Sequence, residues 1–216
     1  MHKALQQFER NIAAVRELQQ LYYYLVEVQK LPNNLSDILR SQLVYAVSAF
    51  DKLIHEVVRE EMLQSFSGQR IKTDKFKGFA ISLETYHQMQ QASQSTELLL
   101  LLPAAYFFEQ EIIAKHKHLA FQDPDKVADA LSLIWLEKQK WQKIASLLNK
   151  SDDSIKKTLK EIVHRRNQIV HEADINWQTN NRTDINADDI KEAVDFIYQL
   201  GKTIIILVTD PINYSI

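Results

Sequence analysis

The chain has 216 residues, which is enough for one sizeable domain, and its formal net charge of −2 is close to neutral. This balance excludes an extended basic surface for non-specific nucleic-acid binding, although it leaves room for a local basic site. The absence of cysteine excludes disulfides, cysteine–zinc sites and thiol nucleophiles, and it fits a reducing cytoplasm. With only three glycines, the chain favours long helices over a sheet, which needs many tight turns.

The N-terminal part of the chain is predicted to form two long helices. Apolar residues at spacings of three and four predict the first helix over residues 3–31, and Pro32 ends it. We expect Ser36 to be the N-cap of the second helix, which continues to about Phe66, because its hydroxyl can accept from the free amides of the first turn. Residues 65–78 contain two of the three glycines, so we expect a loop there with room for one short helix.

The middle of the chain is also predicted to be helical, over residues 81–92 and about 96–120. Its most apolar run, Leu98–Phe108, is far shorter than the roughly 20 residues that cross a bilayer, so we expect a buried helix. The first ten residues lack the apolar core of a signal peptide. We therefore expect a cytoplasmic protein without membrane attachment. Asp123-Pro124 predicts the start of a further helix, which we expect to continue to about Asn149.

The last part of the chain is predicted to contain two more helices around a polar loop. The acids that follow Ser151 suit the positive end of a helix dipole, and the predicted helix continues to about Glu172. Residues 176–184 are rich in asparagine and predict a loop. Asn186 starts the last helix, in which we include the β-branched run Thr203–Val208 because a lone strand would have no partner. The chain is thus predicted to be a single all-α domain over residues 1–216, a helical bundle.

The helix predicted to end near Glu172 places a charge inside an apolar stripe. At roughly 100° per residue, one continuous stripe is formed by Ile155, Leu159, Ile162, Ile169, Val170 and Ala173. Arg166 falls in the middle of this stripe, while Asn167, His171 and Asp174 line up along one edge. A guanidinium at such a position must be desolvated, paired with a carboxylate, or open to a cleft that the apolar face partly encloses.

The run Arg166-Asn167-Gln168-Ile169-Val170-His171 resembles the signature of HEPN domains, the family named for higher eukaryotes and prokaryotes nucleotide-binding. The Ile-Val before the histidine and the Glu-Ala-Asp after it are similar to the RiboL-PSP-associated branch of that family, as is the segment Ser48–Glu56. The resemblance extends over about residues 36–205. It implies a four- or five-helix core with extra helices, and a two-fold homodimer whose paired motifs form one composite active site.

The resemblance also implies a function, which is metal-independent endoribonuclease activity, frequently in toxin–antitoxin or phage-defence systems. An antitoxin or another defence-system protein would then be a partner, and RNA would be the substrate. Carried over by position, Arg166 and His171 are the functional pair and Asn167 is the polar residue after the arginine. Some HEPN toxins carry a tyrosine that a partner nucleotidyltransferase modifies; here that position is Ala173, so regulation by this route is not expected.

The chemistry of RNA cleavage leads to the same residue types. Cleavage without a metal or cofactor requires activation of the 2′-hydroxyl, stabilisation of charge at the phosphate, and protonation of the leaving 5′-oxygen. A histidine titrates near neutral pH and can act as base or acid, and an arginine can hold a phosphate through two donors. One motif supplies one such histidine, whereas a symmetric dimer supplies two. The expected products are a 2′,3′-cyclic phosphate and a 5′-hydroxyl.

Two polar residues on the second helix are further candidates. Asp51 and His55 are one turn apart at the margin of an apolar face. One hypothesis is that Asp51 accepts a hydrogen bond from Arg166 and sets its orientation. The alternative is a local helical pair of Asp51 and His55.

Other interpretations of the sequence stay open. Arg166 could simply pair with a buried carboxylate. Separately, the chain could be a non-catalytic helical dimer that binds RNA or a partner protein and uses the same residues as polar groups of its interface, or it could be a regulatory subunit of a larger defence complex. His116, His118 and His164 are expected on solvated faces rather than at a metal site. A set of basic residues on the motif helix either attracts RNA or is a solvated charged face, namely Lys156, Lys157, Lys160 and Arg165.

Overall fold

A computed structural model describes residues 3–94 and 102–210 of the chain. Within these ranges the protein is all-α, as predicted, with one short two-stranded sheet. The helices are α1 Lys3–Tyr23, α2 Ser36–Phe66, α3 Asp74–Lys77, α4 Leu83–Gln94, α5 Ala104–His116, α6 Pro124–Leu131, α7 Lys140–Leu148, α8 Asp152–His171 and α9 Ala187–Val208. The strands are β1 Ile175–Asn176 and β2 Asn181–Arg182, which pair antiparallel.

The centre of the bundle is α2, which packs against α1, α5, α6, α8 and α9. Its buried residues recur at helical spacing, and Val47, Phe50 and Ile54 have no exposed surface. The buried apolar side chains of the described residues form one contiguous cluster. None of the helices in the described residues is long and apolar enough to cross a membrane. The part of the predicted helix 96–120 that falls on residues 96–101 lies outside the described ranges. In the remainder, only Ala104–His116 is helical, as α5, so the helix ends four residues earlier than predicted.

The boundaries of the first two helices differ from the predictions. The α-helical part of the predicted helix 3–31 ends at Tyr23 and continues as a π-helical turn over Tyr24–Val28. Ser36 is not an N-cap, because it is already the first residue of α2. Its hydroxyl oxygen accepts from Arg40 Nη1 at 2.6 Å instead of from a first-turn amide.

The helix predicted from Pro124 to Asn149 is in fact two helices, α6 and α7. Between them, the carbonyl of Ile134 accepts from Nε and Nη2 of Arg70 at 2.9 and 2.6 Å, and the carbonyl of Leu133 accepts from Thr73 Oγ1 at 3.0 Å. A continuous helix would need both carbonyls for its own amides. Arg70 is fully buried and also pairs with Glu61 at 2.5 Å. A buried cation from a distant segment therefore interrupts the helix.

The C-terminal elements largely match the predictions. Ser151 caps α8 by accepting from Ser154 N, and Asn186 caps α9 by accepting from Asp189 N. The run Thr203–Val208 is helical, as expected. The loop predicted over residues 176–184 includes all of the β1–β2 hairpin except Ile175, and the hairpin is anchored to the bundle by contacts described below.

Candidate functional site

The apolar stripe of α8 is buried in its first half and reaches the surface in its second half. Ile155 and Leu159 have no exposed surface, and Ile162 is 8% exposed, because these residues pack into the core. Further along the same helix, Val170 is 48% exposed. Arg166 lies between Ile162 and Val170, one turn from each. The guanidinium therefore occupies the place where the stripe leaves the core.

Arg166 is half-buried and has no carboxylate partner among residues 3–94 and 102–210. Its Nε is shielded from solvent and makes no hydrogen bond there. Burial lowers the pKa of Arg166, and the negative charge of Asp51 partly offsets this effect. A shielded guanidinium with unused donors is suited to binding an anion. Within the described part of the chain, Arg166 therefore does not show the alternative arrangement in which it pairs with a carboxylate inside one bundle.

His171 is the last residue of α8, and its side chain is exposed. Asn167 precedes it by one turn and is half-buried, so these two side chains share an edge of the helix. His171 is five positions after Arg166, which places the two side chains about 140° apart around an ideal helix. One chain thus presents the guanidinium and the imidazole on diverging faces of α8.

The chain turns sharply after His171, and this turn contradicts the predicted position of Asp174. Ala173 and Asp174 both have left-handed backbone conformations, with φ of 51° and 60°. The two residues direct the chain inward, and Asp174 is 1% exposed. Asp174 therefore does not share an exposed edge with Asn167 and His171, because the helix has ended before it.

Asp174 lies at the centre of a buried ionic cluster that sequence reasoning missed. Its carboxylate accepts from Arg40 Nε at 2.5 Å and from both terminal nitrogens of Arg165. Arg40 Nη2 also donates to the carbonyl of Thr183 at 2.8 Å, and Thr183 N donates to the carbonyl of Asp174 at 2.8 Å. Arg165 is therefore part of an ion pair and not of a solvated face. The cluster joins α2, the end of α8 and the segment before α9.

The sequence contains one signal for this cluster. Arg40 directly follows Leu39 and precedes Leu43 by three positions, so a charge interrupts the apolar face of α2 as Arg166 interrupts that of α8. Such a charge requires a partner when it is buried. Nothing in the spacing, however, shows that the partner is Asp174.

Asp51 and His55 lie close to each other and hold the chain that follows α5. Asp51 Oδ1 accepts from Phe121 N at 2.5 Å, and its Oδ2 is 3.9 Å from His55 Nε2. His55 Nε2 lies 3.2 Å from the carbonyl of Leu119, and its ring packs on Phe121 with the centroids 4.4 Å apart. Asp51 attracts Arg166 through its charge but does not hydrogen-bond it. A role of either residue at the site stays a prediction.

His116 is buried, contrary to the expectation of a solvated face. It is 7% exposed and packs edge-on against Phe79 and Phe121. Burial lowers the pKa of His116 to about 4, and repulsion from His55 and Lys75 adds to this effect. His118 and His164 are exposed, as expected. His116 is thus a neutral ring of the core at neutral pH.

A groove of about 790 Å³ lies between α7, α8 and α9. Thr158 and Ile162 of α8 line this groove, whereas Arg166 and His171 do not. Its polar groups include Asp189, Glu192 and Asp195, so its charge does not favour a phosphate. The candidate site is therefore the surface around Arg166 and His171 and not this groove.

The chain that carries this surface matches the model of a known protein family. The model of the RiboL-PSP-HEPN family matches residues 9–210, nearly the whole chain, and so includes α2 and the complete motif of α8. Comparisons with curated proteins and with solved structures find no significant match. The family match confirms the resemblance noted in the sequence, and the chain belongs to the RiboL-PSP-HEPN family.

Proposed function

We propose that this protein is a metal-independent endoribonuclease that acts as a homodimer. The observation that carries the proposal is the half-buried guanidinium of Arg166, which has no hydrogen-bond or ion-pair partner among the described residues and precedes an exposed histidine on the same helix. Membership in a HEPN family supports an action on RNA. Arg166, Asn167 and His171 are the proposed catalytic residues.

In the proposed reaction the RNA attacks its own phosphate. His171 of one subunit removes the proton from the 2′-hydroxyl, and the 2′-oxygen forms a bond to phosphorus. Arg166 stabilises the negative charge that accumulates on the phosphoryl oxygens. The bond from phosphorus to the 5′-oxygen then breaks, and His171 of the partner subunit protonates this oxygen. The products are a 2′,3′-cyclic phosphate and a 5′-hydroxyl, and Asn167 orients either the substrate or the histidine.

The dimer in this proposal has two supports in the chain. Each subunit contributes one His171, while the reaction needs a base and an acid. In addition, the apolar stripe of α8 continues to the surface at Val170, beside Arg166. A two-fold contact over this surface would bring two motifs together and shield the phosphate from water.

We assign supporting roles to Asp51 and His55. Asp51 attracts the guanidinium of Arg166, and together with His55 it fixes the segment Leu119–Phe121 beside α2. We further propose that the protein acts in a toxin–antitoxin or phage-defence system, with an antitoxin or another defence protein as its partner. The family resemblance is the basis for this biological role.

The test is cleavage of mixed RNAs in EDTA by the wild type, Arg166→Ala and His171→Ala. His164→Ala is the matched control, because His164 lies on the same helix and is exposed. We expect cleavage with cyclic phosphate ends by the wild type and the control, and a loss of at least about 100-fold in the two site variants. Absence of cleavage in every folded sample would instead favour a non-catalytic dimer that binds RNA or a protein.

Subunit mixing tests the shared site. If each site needs both histidines, an excess of His171→Ala subunits lowers the activity of a fixed amount of wild type, because most wild-type subunits enter mixed dimers. A monomer that cleaves at the full rate would contradict this mechanism even if the activity is real. Growth arrest on expression, relieved by Arg166→Ala or His171→Ala, tests the toxin role.

A further inference from the structure

The hairpin that follows α8 presents a tryptophan almost completely to solvent. Trp177 is 85% exposed, whereas Trp135 and Trp141, the other two tryptophans, are 6% and 9% exposed. An indole ring is one of the largest apolar groups in proteins and normally packs into a core or an interface. The exposure of Trp177 therefore points to a ligand that covers the ring.

The tip of this hairpin has a defined conformation. Asn176 pairs with Asn181 across the two strands, and Asn176 Oδ1 accepts from the amides of Gln178 and Thr179 at 2.9 and 3.3 Å. Asn180 closes the turn with a left-handed backbone, and its amide donates to the carbonyl of Asn176 at 2.8 Å. These bonds hold the backbone that carries Trp177 in one arrangement.

The base of the hairpin is fixed to the bundle next to the candidate site. Arg182 pairs with Asp37 of α2 at 2.8 Å, and Thr183 N donates to the carbonyl of Asp174. Trp177 is six positions after His171, so the two Cα atoms are at most about 20 Å apart even for a fully extended chain. The left-handed turn at Ala173 and Asp174 shortens this separation further. Trp177 thus lies within a few nucleotides of the proposed cleavage position.

The surroundings of the ring identify the kind of ligand. The tip has one aromatic side chain among polar ones, and all six residues from Asn176 to Asn181 are exposed. A protein interface uses a contiguous apolar core, which this tip does not offer. A nucleobase, in contrast, offers a flat face for stacking and a polar edge for amide donors and acceptors, which Gln178 and Asn180 can supply.

We propose that Trp177 stacks on an unpaired nucleobase of the RNA, close to the phosphate that is cleaved. This proposal rests on the proposed function for the identity of the ligand. It defines the substrate class as single-stranded RNA, since a base inside a duplex is stacked on its neighbours and cannot accept the indole. The amide side chains at the tip then contact the edge of the same base.

The experiment uses the full chain with His171→Ala, so that RNA is bound without being cut. Tryptophan fluorescence is followed during titration with a short single-stranded RNA and with the same strand carrying abasic nucleotides. We expect quenching by the first strand only, because the buried Trp135 and Trp141 contribute a constant background. In the His171→Ala chain, a second substitution, Trp177→Ala, weakens RNA binding about tenfold or more, while Trp177→Phe retains most of the affinity. Tyr23→Ala, which removes another exposed aromatic ring, leaves the affinity unchanged.

Each contrary result has a distinct meaning. Equal binding of the base-containing and abasic strands, unchanged affinity of Trp177→Ala, or no binding of either strand overturns the stacking role. Iodide quenching of Trp177 fluorescence is also measured without RNA at increasing protein concentration. If this quenching decreases and Trp177→Ala dissociates the dimer, the tip is a subunit contact and the proposal is wrong. If the wild type does not cleave but Trp177 still controls RNA affinity, the nuclease proposal fails and base binding stands.

Discussion

Arg40 and Asp174 are 134 positions apart in the chain, yet Arg40 Nε donates to the Asp174 carboxylate at 2.5 Å in a site closed to solvent. Asp174 follows His171 by three residues. The position of the proposed catalytic histidine is therefore fixed from α2 as well as from its own helix. This arrangement makes the end of α8 dependent on a long-range ion pair.

Asp174→Ala removes the carboxylate that neutralises Arg40 and Arg165. Within the described residues, Arg40 stays buried and keeps only the exposed carboxylate of Asp37, 3.5 Å away, as a counterion. We therefore expect the free energy of unfolding to fall by about 3 kcal/mol, measured by urea denaturation. Asp195→Ala is the control, since Asp195 pairs with Arg16 in a half-exposed bridge and should cost at most about 1 kcal/mol. Equal losses in the two variants would contradict the role given to the buried cluster.

Asp51→Asn removes the negative charge of this side chain but keeps an oxygen that can accept its hydrogen bond. The amide oxygen can still accept from Phe121 N, so stability should change by less than about 1 kcal/mol. The electrostatic attraction on Arg166 is lost, and we expect kcat for RNA cleavage to fall about three- to tenfold. An unchanged kcat in this variant would remove Asp51 from the site.

His116 should make stability depend on pH between its folded and unfolded pKa values. Its folded pKa is about 4, below the ordinary value of 6.5, so the unfolded chain binds more protons in this interval. Stability is then complete above pH 6.5 and decreases as the pH falls toward 4. We expect His116→Phe to remove about 2 kcal/mol of this decrease between pH 7 and 4.5, measured by urea denaturation across this range. Parallel profiles of wild type and His116→Phe would show that His116 does not titrate in this way.

Gly201→Ala sets helix propensity against packing. Gly201 lies within α9, where alanine would normally stabilise by about 1 kcal/mol. A Cβ atom there would lie 2.7 Å from Phe8 Cζ and 2.8 Å from Leu53 Cδ2, both in the core. We therefore expect the melting temperature to drop, with a loss of about 1–3 kcal/mol. A rise in melting temperature would mean that the core can rearrange around the methyl group.

The elements that could be predicted are those specified by neighbouring residues. Ser151 and Asn186 cap α8 and α9 through bonds to amides three residues away, so their positions in the sequence indicate where these helices begin. The periodic apolar residues of α2 likewise indicate its buried face. The anomaly of Arg166 could also be recognised from one helix alone, because it interrupts the same kind of periodic pattern.

The elements that could not be predicted depend on residues far along the chain. The break between α6 and α7 follows from Arg70 binding the carbonyl of Ile134, a contact over 64 positions. The inward turn of Asp174 requires left-handed conformations at two residues that are not glycine, and it is stabilised by Arg40. His116 is buried by rings from other segments. Local periodicity contains no information on these contacts.

The buried Arg70 has a consequence for when the protein can fold during its synthesis. Its Nη2 donates at 2.7 Å to the carbonyl of Val208, the last residue of α9, while its other donors bind Glu61 and Ile134. On the ribosome, α2 and Arg70 emerge long before α9 has been synthesised. Until then a cation of the core lacks one of its acceptors, and the face of α2 that α9 covers is open to water. The core of a nascent chain is therefore incomplete until α9 has been synthesised. The folded surface that carries Arg166 and His171 forms only after this step.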